Sequence, residues 1–358
     1  MSKFLWLIGV AANVLSAGQL GSVAPVPANP WEPAASGVRT VTSHEERAQL
    51  IQLLDRARGF YSLNTAGVPY HLKTSFTVSS NGTTQFDGDW QMDMTHAPGL
   101  GTLITAETAN YSVRHLRAGN IVYQSPQGSM PLRLHEAIGH LLGSMESTSW
   151  TERDLIRTVQ ADVSGMSATC ILLAGAHQTR EAGAPGRLWE EREECIDPQT
   201  GHLILHSPSP GLTILYDFAG SRHFHGKELP RKMTVMENGA IVMTEQVETL
   251  EDLPTLDASL FTPTAAMQPG GTVMGSRFTM PLWIGRPTVP ANQAVMVFGL
   301  LNPDGSISEA HALEASDPRL VEAAVNLVSQ LKLHIPVAPG ANVEQREFFG
   351  FVRSRPTN

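Results

Sequence analysis

From Ser43 onward, apolar residues recur at helical spacing. Leu50, Leu53, Leu54, Ala57, Phe60 and Tyr61 share one face, and Ser43 with Glu46 three residues on is a capping-box start. After Gly67 the period changes to two. Tyr70 to Val78 leads into Asn81-Gly82, a strong hairpin signal, and Thr84 to Met94 returns with Phe86, Trp90, Met92 and Met94 on one face. Further strand-like text covers Leu103–Ala106, Tyr111–Leu116 and Asn120–Tyr123. A helix is predicted over Pro131–Met145, burying Leu132, Ala137, Ile138, Leu141 and Leu142, and another over Thr151–Val159. Strands then resume at Ser167–Leu173, Trp189–Ile196, His202–His206, Thr213–Phe218, Met233–Glu237 and Ala240–Val247.

Ala265 to Asn292 is rich in Gly, Pro and Met and reads as a connector. Beyond it the pattern predicts a compact ββαβ unit. Ala294–Leu301 is a buried strand, Asn302-Pro303-Asp304-Gly305 a turn, and Ser306–Leu313 its partner strand. Ser316-Asp317-Pro318 starts a helix with Leu320, Val321, Ala324, Leu327, Val328 and Leu331 on one stripe, ending near His334 before Pro336. Val343 to Val352, carrying Phe348, Phe349 and Phe351, is the last strand.

Two family resemblances follow from this text. Residues 294–354 resemble the TonB carboxy-terminal domain through Asn302-Pro303-Asp304-Gly305-Ser306-Ile307, the Ser316-Asp317-Pro318-Arg319-Leu320 helix start, Ala323-Ala324, Pro336, Gly340-Ala341-Asn342-Val343 and the terminal aromatic strand. That resemblance implies an energy-transducer-type envelope protein. Its exposed edge strand, here Val343, Gln345, Glu347, Phe349 and Phe351, would pair with a segment of an envelope partner such as an outer-membrane transporter. Against this, the chain shows neither a convincing anchor nor a long proline-rich spacer. Residues 43–265 resemble the LolA-type lipoprotein carrier superfamily through the leading helix, the two long strands, Leu215-Tyr216-Asp217-Phe218 and the closing Leu256-Asp257-Ala258-Ser259-Leu260-Phe261-Thr262-Pro263. This second resemblance implies an antiparallel half-barrel around a helix, with an inner face able to hold acyl chains. Phe76, Phe86, Trp90, Met92 and Met94 are then candidates for an apolar cavity, with a packed sheet core as the favoured alternative.

Composition narrows the function classes. With a net charge of -9 and no basic stretch, nucleic acid is excluded as the main partner. The opening Lys3 and the apolar run Phe4 to Ala12, followed by Ser16-Ala17-Gly18, read as a signal peptide over 1–17, with a linker over 18–42. The alternative is an uncleaved inner-membrane anchor. Cys170 and Cys195, the only cysteines, fit one disulfide in an exported chain, or two buried thiols.

The sequence carries no Gly-x-Ser-x-Gly elbow, phosphate loop or dinucleotide fingerprint. His135-Glu136-Ala137-Ile138-Gly139-His140 misses the zinc-protease pattern by one residue, placing its histidines at i and i+5 on an amphipathic surface helix. His223-Phe224-His225 with Glu228 nearby has metal-like spacing but no third ligand. The sequence thus predicts an α+β protein, a half-barrel over 43–265 joined through 266–293 to a TonB-like unit over 294–358. It predicts a non-enzymatic periplasmic protein without a cofactor. Its expected work is protein docking in outer-membrane transport or, alternatively, carriage of a lipid or acyl group.

Overall fold

The computed structural model describes residues 23–29, 32–33, 37–61, 63–79, 85–119, 121–125, 130–143, 153–181, 183–269, 278–285, 290–334 and 345–355. The signal-peptide segment, the Asn81-Gly82 turn, Pro336 and Val343 lie outside them.

The elements begin with β1 (Arg39–Thr40), α1 (His44–Tyr61), β2 (Tyr70–Val78), β3 (Gly88–Ala97), β4 (Gly101–Glu107), β5 (Ser112–Ala118), β6 (Ile121–Gln124) and α2 (Leu132–Gly143). They continue with β7 (Leu155–Val163), β8 (Met166–Ala174), β9 (Arg192–Ile196), β10 (Leu203–Ser209), β11 (Leu212–Asp217), β12 (Arg222–Phe224), β13 (Lys227–Leu229), β14 (Lys232–Glu237) and β15 (Ala240–Asp252). Last come β16 (Gln268–Pro269), β17 (Phe278–Ile284), β18 (Ala294–Leu301), β19 (Ile307–Ala315), α3 (Val321–Ser329) and β20 (Arg346–Ser354).

Fourteen strands form one large open sheet, ordered β1-β7-β8-β9-β10-β11-β14-β15-β2-β3-β4-β5-β6-β16, with every pairing antiparallel. The chain closes this sheet in its middle, because β15 returns to pair with β2 across a long sequence gap. Alternation in β2 sends Tyr70, Leu72, Thr74, Phe76 and Val78 inward and leaves Lys73 and Thr77 in solvent. The acidic first turn of α1, Glu45 and Glu46, and Arg58 in its last turn suit the helix dipole. Its Leu50, Leu54, Ala57 and Tyr61 enter the same core as the inner faces of β2 and β3.

The carboxy-terminal elements fold in the predicted order, strand, strand, helix, strand. Gly305 closes the first turn at φ +83, where an added Cβ would lie 1.9 Å from the Leu333 carbonyl oxygen, so only glycine fits. Asp317 caps the helix start by accepting from the Arg319 backbone N–H. The sheet is larger than predicted, however. Its order is β17-β20-β18-β19, with β17 parallel to β20. The period-two series Phe278, Met280, Leu282 and Ile284 inside the expected connector is thus a strand, and Pro281 is tolerated because β17 is an edge. One face of this sheet packs with α3 around Val297, Val328, Phe348 and Val352. The other, with Met296, Phe298, Phe349 and Phe351, belongs to the main core. The two predicted domains therefore share one hydrophobic core.

Two further expectations change. Thr151–Val159 does not form a helix in its described part, because Leu155–Val163 is β7, paired with β8 along its whole length. Nor is α2 an amphipathic surface helix: Arg133, His135, Glu136 and His140 are all buried along with Leu132, Leu134 and Leu141.

Candidate functional site

Strand register places the inward residues of β14, β15 and β2–β5 in rows. One row runs Met233, Glu245, Phe76, Trp90. The next runs Val247, Thr74, Met92, Ala106, Val113. A third runs Leu250, Leu72, Met94, Ile104, His115. This wall is apolar except at Glu245, Thr74 and His115, and it carries no lysine or arginine. Phe76 stacks on Trp90 at 5.4 Å between ring centroids, and Tyr111 meets both Trp90 and Phe86. The Trp90 indole N–H donates to the Phe86 carbonyl at 2.9 Å.

The polar groups of the wall share an unusual condition. The Glu245 carboxyl has only the Thr74 hydroxyl for a polar neighbour, and neither ring nitrogen of His115 has a hydrogen-bond partner, although all are buried. Burial pushes the Glu245 carboxyl up to about 8, with Thr74 beside it offsetting this only in part. Burial, followed by the neighbouring His135, lowers His115 to about 4. Both groups are therefore neutral in a neutral solution. A buried polar group without a partner costs on the order of 1–3 kcal/mol, so a cluster of them on one wall points to use rather than stability.

The helix α2 lies over the wall. Its His140 carbonyl accepts from Tyr216 Oη at 3.0 Å, and Leu134, Ala137, Ile138 and Leu141 join the core that holds Trp90 and Met94. Its polar side chains clamp it to the rest of the molecule. Arg133 Nη1 reaches Glu136 at 2.6 Å and Glu237 of β14 at 2.7 Å, and His311 of β19 reaches Glu237 at 3.0 Å. Glu309 of β19 accepts from the Leu132 backbone N–H at 2.9 Å. His140 Nε2 lies 3.5 Å from Glu347 of β20, and its ring is 5.8 Å from that of His206, which bonds Glu194 at 2.8 Å. Burial opposes the Arg133 charge, but Glu136 and Glu237 outweigh it and hold the guanidinium above its ordinary pKa. Burial raises Glu136 despite Arg133, whereas His311 and Arg133 overcome the burial of Glu237 and hold it low.

The predicted site residues distribute unevenly. Cys170 and Cys195 are bonded to each other, directly opposite on β8 and β9. Phe76, Trp90, Met92 and Met94 come together on the wall with Phe86 packed beside them. The predicted docking strand lies inside the molecule. Gln345, Glu347, Phe349 and Phe351 are buried, and β20 is hydrogen-bonded on both sides, to β17 and β18. A partner strand would have to displace β17 to reach it. His223 and His225 diverge, the first lying 3.8 Å from Glu228 and the second 2.6 Å from Asp252. Among the described residues, the one acid, cysteine or histidine group tight enough for a metal is Cys170, Glu193 and Cys195, where the disulfide already uses both sulfurs.

Sequence reasoning missed Glu245 and the α2 clamp. The signal for Glu245 was present, since it falls in phase with Met243 and Val247 in the first half of a strand whose other odd positions there are apolar. The clamp had no local signal, because Arg133, Glu237, His311 and Glu347 meet only through the tertiary fold.

No family model matches the chain, and no curated protein matches it. Among solved structures, a LolA superfamily protein from Nitrosomonas europaea superposes with a TM-score of 0.38 at 10% identity, covering 60% of this chain and 97% of that one. A domain from Vibrio parahaemolyticus described as lipoprotein-sorting gives 0.36 at 8% identity, covering 58% and 94%. MucB gives 0.29 at 13% identity, covering 62% and 65%. At these scores the likeness carries no inference, and function is read from this chain's own geometry. Among the described residues, no helix is long and apolar enough to cross a membrane, which says nothing of strands.

Proposed function

We propose that the protein is a non-catalytic carrier of the bacterial cell envelope that holds an acyl chain against the inner wall of its large sheet, with α2 occupying that place when no ligand is bound. The observation that carries this reading is the wall itself. A continuous surface of Phe76, Trp90, Met92, Met94 and Ile104 shares its core with α1, α2 and one face of the carboxy-terminal sheet, and its few polar groups, Glu245, Thr74 and His115, meet no charged partner. Apolar surface of this kind contributes about 25 cal/mol per Å² when covered, whether by a helix or by an acyl chain. The Cys170–Cys195 disulfide supports residence in an oxidising compartment such as the periplasm. Extraction of the purified protein with organic solvent, followed by mass spectrometry, tests the reading. A stoichiometric acyl compound is expected, and Trp90→Ala should reduce its recovery. Absence of any bound or acquired amphiphile removes the carrier function.

A docking role belongs, in this reading, to the outer edge of β17, which ends its sheet. A proline at Thr279 should then abolish capture of an envelope partner.

A further inference from the structure

Glu245 stands apart from every other buried acid in the molecule described above. Glu136, Glu191, Glu194 and Glu237 each meet an arginine or histidine. Glu245 meets none. The residue is 1% exposed, it meets no charged group, and its cross-strand neighbours on the two sides are Met233 and Phe76. The Thr74 hydroxyl is the one polar group that reaches its carboxyl. An acid in such surroundings keeps its proton, and so offers one O–H donor and one carbonyl acceptor side by side.

The complement of that pair is a neutral group with one donor and one acceptor on the same side, which a primary amide offers because one N–H lies syn to its carbonyl. Building on the acyl-carrier reading, we propose that Glu245, with Thr74, is the head-group recognition point of the wall, and that it selects acyl chains ending in a primary amide. In the complex the amide N–H donates to the Glu245 carbonyl oxygen and the Glu245 O–H donates to the amide carbonyl, closing a cyclic pair. The chain then runs over Phe76, Trp90 and Met92. An anionic head finds no cation on the wall, because its rows contain no lysine or arginine, and it would be buried without compensation. A buried site built to hydrogen-bond a substrate rejects the analogue that leaves its groups unpaired.

The test uses the full-length protein, with hexadecanamide, hexadecanoate and hexadecylamine as probes, by calorimetric titration at pH 7. Hexadecanamide should bind at least about tenfold tighter than the other two, a difference of about 1.4 kcal/mol. Glu245→Leu, which keeps the apolar wall and removes the pair, should bring the three probes within about threefold of one another. Glu245→Gln should keep amide binding, since its side chain also presents one donor and one acceptor, and its circular dichroism and melting curve report on folding. Equal binding of amide and carboxylate by the unaltered protein overturns the proposal while leaving the carrier reading in place. So does tighter binding of hexadecylamine, or a preference unchanged by Glu245→Leu. Failure of all three probes to bind removes the carrier reading and this inference together.

Discussion

Two buried polar regions face each other across α2, and they are built on opposite principles. Between α2 and the carboxy-terminal sheet, charge is dense and set in ion pairs, although one Glu136 oxygen accepts no hydrogen bond: Arg133 bridges Glu136 and Glu237, and His311 completes Glu237. On the wall side, polar groups are sparse and without charged partners, with Glu245, Thr74 and His115 set among apolar neighbours. Burial is similar in both. The first arrangement fixes where α2 sits, since breaking it strands a charge in low dielectric. In the proposed carrier role, a ligand that satisfies those atoms would compete with α2 for the wall.

The comparison breaks first at Arg133. Arg133→Met leaves Glu136 and Glu237 without their cation, and urea unfolding should show a loss of about 3–5 kcal/mol. A loss below about 1 kcal/mol would mean that the clamp does not hold the helix. Reducing the Cys170–Cys195 bond, which lies outside both regions, should cost about 3 kcal/mol by loop entropy. It should leave ligand selectivity unchanged. Glu245→Leu should act in the opposite sense to Arg133→Met, stabilising the ligand-free protein by about 1–3 kcal/mol, because it removes a buried polar group without a charged partner rather than a partner. Destabilisation there would place Glu245 among the structural acids.

Acid–base titration sharpens the contrast through sign. Glu245 is raised from 4.5 to about 8 in the folded protein, so the folded state holds the extra proton and stability falls as pH rises between those values. The slope approaches about 1.4 kcal/mol per pH unit within that window, and Glu245→Gln should remove it. Glu237 is held low by His311 and Arg133 against its burial. Its contribution is present above its unfolded value and is lost as pH falls through the folded one. Glu237→Gln should therefore flatten the acid limb, and it should also remove the His311-linked change above pH 6.5. The smallest effect is expected at His311→Asn, about 1–2 kcal/mol from one lost bond to a charged group. His311 is raised by Glu237 against burial, so that loss should be largest below its unfolded value of 6.5 and fade as pH rises through the folded one. A pH-independent effect would show that the imidazole acts by packing alone.

Elements whose signals are local were legible in the sequence. Helix α1 announced itself through Ser43 and Glu46, and the Glu46 backbone N–H does approach Ser43 Oγ at 3.4 Å. The alternation of β2 and β3 gave the wall, and Asn302 to Gly305 gave the turn before β19. Leu155–Val163 was obscured because Leu155, Ile156 and Val159 fit one helical face while the strand is buried on both sides at its start. Strand β17 was hidden by Pro281, which weakens a strand reading everywhere except at an edge. The inward position of β20 depends on that missed strand, so the exposed-edge expectation failed with it. The charged clamp lay beyond any local pattern, since its members come from α2, β14, β19 and β20.

Strand β20 carries one more consequence, concerning the order in which the chain can finish folding. It is an inner strand of its sheet, and its Phe349 and Phe351 belong to the main core, yet it follows every other described element in chain order. A chain emerging amino end first presents its large sheet with that face still open and α2 without its Glu347 contact. Completion thus waits for residue 354, and a chain cut shortly before it exposes the surface that chaperones and proteases recognise. The inner strand that cannot serve as a docking edge instead makes the fold report on its own completeness.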